Sequence, residues 1–126
     1  MKGILLVSHS QKITDGLKEM IEEMVSESSP VRLLSLGGTE DQRLGTSAMK
    51  ILDGIYACKD CEDIFIFCDI GSAIMSAEVA IEMLEEPIKE KVSLVNAPLI
   101  EGAFAAAIQA SIGDSKENIF LELSKI

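Results

Sequence analysis

Four short apolar runs, separated by longer amphipathic segments, constrain the fold of this chain more than any other feature of its sequence. The runs are Gly3–Val7, Val31–Leu36, Asp63–Cys68 and Val92–Val95. Their near-continuous apolar character is typical of β-strands that are covered on both faces. We therefore expect four strands buried in the middle of a layered α/β structure.

The segments between and after these runs have the spacing of amphipathic helices. In the first of them, apolar residues recur mostly three or four positions apart and form one stripe. Pro87 and Gly113 follow the third and fourth segments as stop signals. The helical segments are Gln11–Val25, Ser47–Ala57, Ala73–Glu85, Leu99–Ile112 and Ser115–Ser124.

The alternation of strands and helices with short connections predicts a parallel sheet with right-handed crossovers. We expect one α/β domain over residues 1–126, with an open four-stranded parallel sheet of order 2-1-3-4 and helices on both faces. The fourth helix is rich in alanine, which predicts either tight packing on the sheet or a subunit interface.

The net charge of −10 argues against binding to nucleic acid or to an anionic membrane, because both need clustered Lys and Arg. A basic protein partner fits this charge, and so does the simpler interpretation that the charge keeps the domain soluble. No apolar segment approaches the ~20 residues that span a bilayer, and the N-terminal run is too short for a signal peptide. We therefore expect a cytoplasmic protein, whose three cysteines imply no disulfide framework.

Small or polar residues follow all four apolar runs. They are Ser8–Ser10, Gly37–Asp41, Asp69–Ser72 and Asn96–Pro98. Ligands of open parallel sheets bind outside the carboxyl ends of the strands. These segments therefore predict one shared concave edge that carries the functional site.

His9 is the single histidine of the chain and lies where the first strand gives way to the first helix. A neutral imidazole is a good nucleophile toward phosphorus, and the N–H groups of a helix N-terminus can bind phosphate oxygens. The alternative is a histidine that caps the helix or packs against it. For an isolated histidine this alternative is the commoner one, but the position of His9 at a strand end removes most of its advantage.

Asp69 ends the third strand, which we expect beside the first. A carboxylate there can accept a hydrogen bond from one imidazole nitrogen, fix the tautomer and stabilise a charged phosphoimidazole. The alternative role is a simple cap of the following helix. The pairing of Asp69 with His9 favours the catalytic role.

The polar loop from Gly37 to Ser47 is too long for a tight turn. Gly37 and Gly38 permit close backbone approach and positive φ, while Thr39 and Arg43 offer donors to a phosphate or a partner. The alternative is a mobile surface loop with glycine hinges, which is what a loop of this composition more commonly is.

Several other kinds of site are excluded by missing residues. The chain has no G-x-x-x-x-G-K-[ST] phosphate loop, and its first βα turn has no glycine for a dinucleotide. Cys58 and Cys61 form a C-x-x-C that follows a helix and has no second ligand pair, which argues against redox and zinc sites. A receiver domain needs carboxylates where Ser8 and His9 stand. We therefore expect no metal site.

Four segments carry a resemblance to a known family. They are Gly3–Ser10, the loop Gly37–Ser47, Cys68–Ala73 and Asn96–Ala103, in that order. With them the chain resembles the mannose-type enzyme IIA domains of the phosphoenolpyruvate-dependent phosphotransferase system. The second and fourth segments are most similar to the phosphotransfer subunits of dihydroxyacetone kinases.

This resemblance implies a phosphotransferase component that accepts a phosphoryl group on His9 from HPr. The group would then pass to ADP bound on the DhaL subunit, and the ATP formed there would serve DhaK, which phosphorylates dihydroxyacetone. The covalent phosphohistidine, carried on Nε2, would be the only intermediate, with no separate cofactor. The alternatives are an enzyme IIA of a mannose-type sugar permease and a non-catalytic α/β module with an inactive site.

The resemblance also assigns roles to single residues. Asp69 would support the phosphohistidine, and Gly38, Thr39 and Ser72 would line its pocket. Arg43 would touch the partner or the nucleotide phosphates. Relatives form homodimers, so we expect the same of this chain.

Overall fold

Four parallel strands form one open sheet in the order β2-β1-β3-β4 in a computed structural model that describes all residues, 1–126. The strands are β1, Lys2–Val7; β2, Val31–Ser35; β3, Asp63–Cys68; and β4, Val92–Leu94. Each agrees with its predicted run to within one residue at either end. The expected fold class and strand order are confirmed.

Five α-helices follow the strands in the expected order. They are α1, Gln11–Met24; α2, Ala48–Ala57; α3, Gly71–Glu82; α4, Leu99–Ser111; and α5, Lys116–Leu123, with a short 3-10 turn at Lys89–Lys91. Ser47 and Ser115 cap α2 and α5, since each hydroxyl accepts the N–H of the residue three positions later. None of the helices combines the length and the apolar character needed to cross a membrane.

Helix α3 begins two residues before the predicted start and ends three residues before the predicted end. Its apolar pattern starts at Ala73, whereas Gly71 and Ser72 already form the first turn. At the other end the helix stops at Glu82, and Pro87 lacks the N–H that would donate to the Met83 carbonyl oxygen in a longer helix. The earlier start matters for function because it puts Ser72 in the first turn of a helix.

Two hydrophobic layers lie on opposite faces of the sheet. Leu5 and Val7 of β1 pack toward α2 and α3, whereas Ile4 and Leu6 pack toward α1, α4 and α5. All four side chains are fully buried. Burial on both faces is the physical reason that the run is apolar at successive positions rather than at every second one.

The alanines of α4 are explained by packing on the sheet. Ala103, Ala106, Ala107 and Ala110 are fully buried against the layer that holds α1 and α5. At Gly102 of the same helix, an added Cβ would lie 3.1 Å from the Phe67 ring, so the helix lies close to β3. This close approach needs small side chains, and it decides between the two explanations offered by the sequence.

The strand register brings the polar strand ends together. Val7 pairs with Cys68 across β1 and β3, so His9 and Asp69 leave the sheet side by side. On the other flank, the Gly38 N–H donates to the Ser8 carbonyl oxygen at 2.9 Å. The carboxyl ends of the central strands therefore meet at one edge, as expected.

Candidate functional site

The imidazole of His9 lies between a carboxylate and a hydroxyl at this edge. Its Nδ1 is 3.0 Å from Oδ1 of Asp69, and its Nε2 makes a hydrogen bond with Oγ of Ser72. The His9 side chain is 27% exposed, so a partner can reach it while both neighbours hold the ring. The structure thus brings together the three side chains on which the sequence argument depends.

The Asp69 carboxylate accepts four hydrogen bonds. Oδ1 accepts the Ile70 N–H at 2.7 Å and pairs with His9 Nδ1, while Oδ2 accepts the His9 N–H at 3.0 Å and the Ser8 hydroxyl at 2.9 Å. Burial acts to raise the pKa of Asp69. The hydrogen bonds from the backbone of His9 and Ile70 and from the Ser8 and His9 side chains outweigh burial, and they hold the pKa below its usual value.

An ionised Asp69 fixes the tautomer of the neutral imidazole. A carboxylate only accepts hydrogen bonds, so Nδ1 of His9 carries the hydrogen and donates it to Oδ1. Nε2 then holds the lone pair and accepts a hydrogen bond from the Ser72 hydroxyl. The exposed nitrogen is therefore the nucleophilic one.

Two helices begin beside this nitrogen without side-chain caps. Ser10 precedes α1 and Ile70 precedes α3, and neither makes a side-chain capping hydrogen bond. Uncapped first turns leave backbone N–H groups for another acceptor, and the helix dipole favours an anion there. A phosphoryl group on Nε2 would lie next to Ser72 in the first turn of α3.

The glycine-rich loop is fastened to the backbone around His9. The Gly45 N–H donates to the His9 carbonyl oxygen at 2.8 Å, and the Gly38 N–H donates to the Ser8 carbonyl oxygen at 2.9 Å. Both glycines have positive φ, 77° at Gly38 and 128° at Gly45, which side chains rarely permit. The expected close approach of Gly38 to the site is thus present.

Thr39 and Arg43 are placed differently from Ser72. The Thr39 hydroxyl donates to Asp41 at 2.5 Å and accepts the Arg43 N–H at 3.0 Å, so it serves the turn of the loop. The Arg43 guanidinium is 81% exposed, with one nitrogen 3.6 Å from Asp41. Neither side chain makes a hydrogen bond to His9.

Two further polar residues, to which the sequence assigned no role in the site, also contact it. Ser8 is fully buried and donates to Asp69, and Lys50 donates from Nζ to the Gly37 carbonyl oxygen at 2.8 Å. A serine at the end of an apolar run is a signal that could have identified Ser8. No comparable signal marks Lys50, because its contact depends on how α2 packs against the loop.

The arrangement of side chains does not support a metal site or a reactive cysteine pair. No group of three or more His, Cys, Asp and Glu residues is placed to hold a metal ion. Cys58 and Cys61 are fully buried, and burial is the main cause that raises the pKa of both thiols, to about 12 for Cys58. Such thiols contain little reactive thiolate near neutral pH.

Comparison with known proteins identifies the family. The family model EIIA-man, described as PTS system fructose IIA component, matches residues 3–120. The chain belongs to the EIIA-man family. The resemblance seen in the four sequence segments is thereby confirmed, and the matched residues include His9, Asp69 and Ser72.

Within the EIIA-man family the chain is similar to subunits named DhaM. It is 55% identical over 126 residues to the phosphoryl donor subunit DhaM of PEP-dependent dihydroxyacetone kinase 2 from Listeria innocua, covering 100% of this chain and 99% of the relative. The phosphotransferase subunit DhaM of a PTS-dependent dihydroxyacetone kinase from Lactococcus lactis is 34% identical, with 98% and 94% covered. This places the chain among the DhaM subunits.

Some relatives are much longer than this chain. The phosphoryl donor subunit DhaM of Escherichia coli is 32% identical over 97% of the chain, which spans 26% of that protein. A crystal structure of a protein of unknown function, EF1359, has a TM-score of 0.88 and 49% identity, covering 97% of this chain and 92% of that one. The fold and the sequence relationship therefore agree.

Proposed function

We propose that this chain is the phosphoryl donor subunit of a phosphoenolpyruvate-dependent dihydroxyacetone kinase and carries the phosphoryl group on Nε2 of His9. The observation that carries the proposal is the orientation of His9, whose Nδ1 is held by Asp69 and whose Nε2 is exposed beside Ser72. The 55% identical relative from Listeria innocua is named as such a subunit and matches over its whole length.

The first step is phosphorylation of His9 by HPr. The Nε2 lone pair attacks phosphorus in line, the new N–P bond forms, and the bond between phosphorus and the donor breaks with its electrons. The imidazole then carries positive charge, which the Asp69 carboxylate stabilises through the Nδ1 hydrogen. Ser72 and the first N–H groups of α3 can donate to the phosphoryl oxygens.

The second step returns His9 to its free form. A terminal oxygen of ADP, bound on DhaL, attacks phosphorus, and the N–P bond breaks with its electrons returning to Nε2. The ATP formed on DhaL then serves DhaK. Arg43 is the exposed cation of the loop and suits contact with the partner or the nucleotide phosphates, while Gly38 and Thr39 shape the loop that holds it.

The chain works in this scheme as a phosphotransferase component that is charged and discharged once for each phosphoryl group. It needs no dissociable cofactor and no metal of its own, since the intermediate is the phosphohistidine itself. Phosphoenolpyruvate and nucleotides are cytoplasmic compounds, so we place the protein in the cytoplasm. Two copies form a homodimer, for which the exposed apolar side of α3 offers a surface.

A second candidate function is the enzyme IIA component of a mannose-type sugar permease. The description of the matching family, PTS system fructose IIA component, favours this alternative. The chemistry at His9 would be the same, and only the acceptor would differ. A IIB domain would then take the phosphoryl group in place of ADP on DhaL.

Reconstitution with labelled phosphoenolpyruvate, enzyme I and HPr tests the proposal. We expect an acid-labile label on the wild type and none on His9→Ala, followed by loss of the label when ADP-loaded DhaL is added. Drainage by a mannose-type IIB domain alone would favour the permease component instead. A label that persists on His9→Ala would refute the role of His9.

A further inference from the structure

Ser8 is a buried polar side chain at the centre of the site. Its exposure is 0%, and a buried hydroxyl is costly unless both its donor and its acceptor capacity are used. Its Oγ donates to Oδ2 of Asp69 at 2.9 Å and accepts the Ser10 N–H at 3.1 Å. Ser8 thus joins the end of β1 to the start of α1 and to the end of β3.

The hydroxyl of Ser8 completes the set of donors that orients the Asp69 carboxylate. Oδ1 faces the Ile70 N–H and the ring, while Oδ2 faces the His9 N–H and Ser8. Ser8 is the one side chain that donates to Oδ2. Without it, Oδ2 keeps a single backbone donor, and the carboxylate is held less firmly in the orientation that faces Nδ1.

The orientation of the carboxylate decides which ring nitrogen is nucleophilic. Oδ1 is 3.0 Å from Nδ1, near the usual length for a charge-assisted hydrogen bond. When this bond lengthens, the preference for hydrogen on Nδ1 weakens and part of the imidazole takes the opposite tautomer. In that tautomer Nε2 carries the hydrogen and cannot attack phosphorus.

We propose that Ser8 is a positioning residue whose hydroxyl holds the Asp69 carboxylate in the orientation that keeps the nucleophilic lone pair on Nε2 of His9. This inference rests on the proposed phosphoryl transfer through His9. Ser8 itself touches neither the phosphoryl group nor the donor. Its effect reaches the ring only through Asp69.

The test compares Ser8→Ala with Ser8→Thr, which keeps the hydroxyl, and with a matched control, Ser35→Ala. Ser35 ends the neighbouring strand and its hydroxyl also donates to a carboxylate, that of Asp15, at 2.6 Å. It makes no contact with His9 or Asp69. The ring ¹⁵N shifts of His9 in the unphosphorylated proteins report the tautomer directly, and thermal unfolding shows that each variant is folded.

We expect Ser8→Ala to increase the fraction of the Nε2–H tautomer several-fold and to slow phosphorylation by HPr by about tenfold, since one hydrogen bond to a charged group is lost. Ser8→Thr should show the wild-type tautomer fraction and the wild-type rate. Ser35→Ala should change neither the tautomer fraction nor the rate. If Ser8→Ala does not fold, Ser8→Cys, with a weaker donor of similar size, takes its place and shows the same direction.

A folded Ser8→Ala or Ser8→Cys with the wild-type tautomer and rate would overturn the inference. So would a folded Ser8→Thr that fails to restore them. The tautomer measurement needs no phosphoryl donor, so it tests Ser8 even if HPr fails to label the wild type. That last result would count against the proposed function alone.

Discussion

At the scale of single residues, the site depends on a carboxylate that is almost saturated with donors. Four hydrogen bonds reach the two oxygens of Asp69, and two of them come from the backbone N–H groups of His9 and Ile70. Backbone donors cannot rotate away, so they fix the carboxylate more firmly than side chains alone would. The imidazole is thereby oriented before any partner arrives.

Replacing Asp69 by asparagine should slow transfer from HPr by about 10–100-fold, in the range seen when a partner that orients a histidine is lost. The amide has an NH₂ donor in place of one acceptor oxygen, so one of the two backbone donors, the His9 N–H or the Ile70 N–H, loses its partner. The rate of label transfer in rapid-quench experiments is the measurement, with Asp15→Asn as control, since Asp15 lies in α1 and accepts from Ser35 rather than from His9. An unchanged rate in Asp69→Asn would show that Asp69 only caps α3.

The lowered pKa of Asp69 has a consequence for stability in acid. A group whose pKa is lower in the folded state stabilises the protein above the unfolded value, about 3.9, and this contribution is lost as the pH falls through the folded value. We expect the difference in unfolding free energy between wild type and Asp69→Asn to shrink on going from pH 5 to pH 3. Urea unfolding at both pH values measures it.

The comparison with Asp69→Asn separates this residue from other acidic groups. The Arg32 side chain lowers the pKa of Asp60 to about 2, and Lys2 lowers the pKa of Glu62. Asp60 and Glu62 contribute equally to the unfolding free energies of the wild type and Asp69→Asn. Their contributions therefore cancel in the difference between these two proteins. A difference that stays constant between pH 5 and pH 3 would contradict the lowered pKa of Asp69.

At the scale of elements, the position of the loop depends on close contact between backbones. A Cβ on Gly37 would lie 2.4 Å from the Ser10 carbonyl oxygen and 2.5 Å from Oγ1 of Thr14. The Nζ of Lys50 also donates a hydrogen bond to the carbonyl oxygen of Gly37. The loop therefore fits against the start of α1 only where the residue has no side chain.

Gly37→Ala should push the loop away from α1, lower the unfolding free energy and slow phosphorylation of His9. The matched control is Gly16→Ala in α1, where nothing lies within 4 Å of the added methyl group. That change should raise the unfolding free energy by roughly 1 kcal/mol, because alanine is the better helix former. If Gly37→Ala and Gly16→Ala had equal effects on the unfolding free energy in denaturant, the close packing of Gly37 against α1 would be contradicted.

The strands were predictable to within a residue because burial on both faces leaves an apolar run with sharp ends. The start of α3 was not, because Gly71 and Ser72 add no apolar residue to the helical pattern. The pairing of His9 with Asp69 followed from their positions at neighbouring strand ends. Ser8 could have been identified as a serine at the end of an apolar run, whereas the contact of Lys50 depends on how α2 packs against the loop and no local pattern marks it.

At the scale of the whole molecule, the protein combines a negative charge of −10 with an apolar helix surface. Met75 and Val79 of α3 and Met83, the residue that caps its C-terminus, lie four residues apart and are 66%, 49% and 48% exposed. Residues at this spacing share one helix face, so they form a stripe on the side away from the sheet. A second copy of the chain would remove this stripe from water.

Sedimentation should show a homodimer for the wild type at micromolar concentration. Met75→Glu places a charge in the stripe and should shift the protein toward monomer, whereas Met24→Glu, which changes an exposed methionine on α1, should not. A monomeric wild type, or a dimer that is insensitive to Met75→Glu, would contradict the assignment of the interface to α3.

NMR of the phosphorylated, ¹⁵N-labelled protein is the sharpest test of whether His9 carries the phosphoryl group on Nε2. Nδ1 is occupied by its hydrogen bond to Asp69, whereas Nε2 is the nitrogen that faces Ser72 and the exterior. After incubation with enzyme I, HPr and phosphoenolpyruvate, we expect a one-bond coupling between phosphorus and Nε2 of His9. Coupling to Nδ1, or phosphorylation of any other residue, would contradict it.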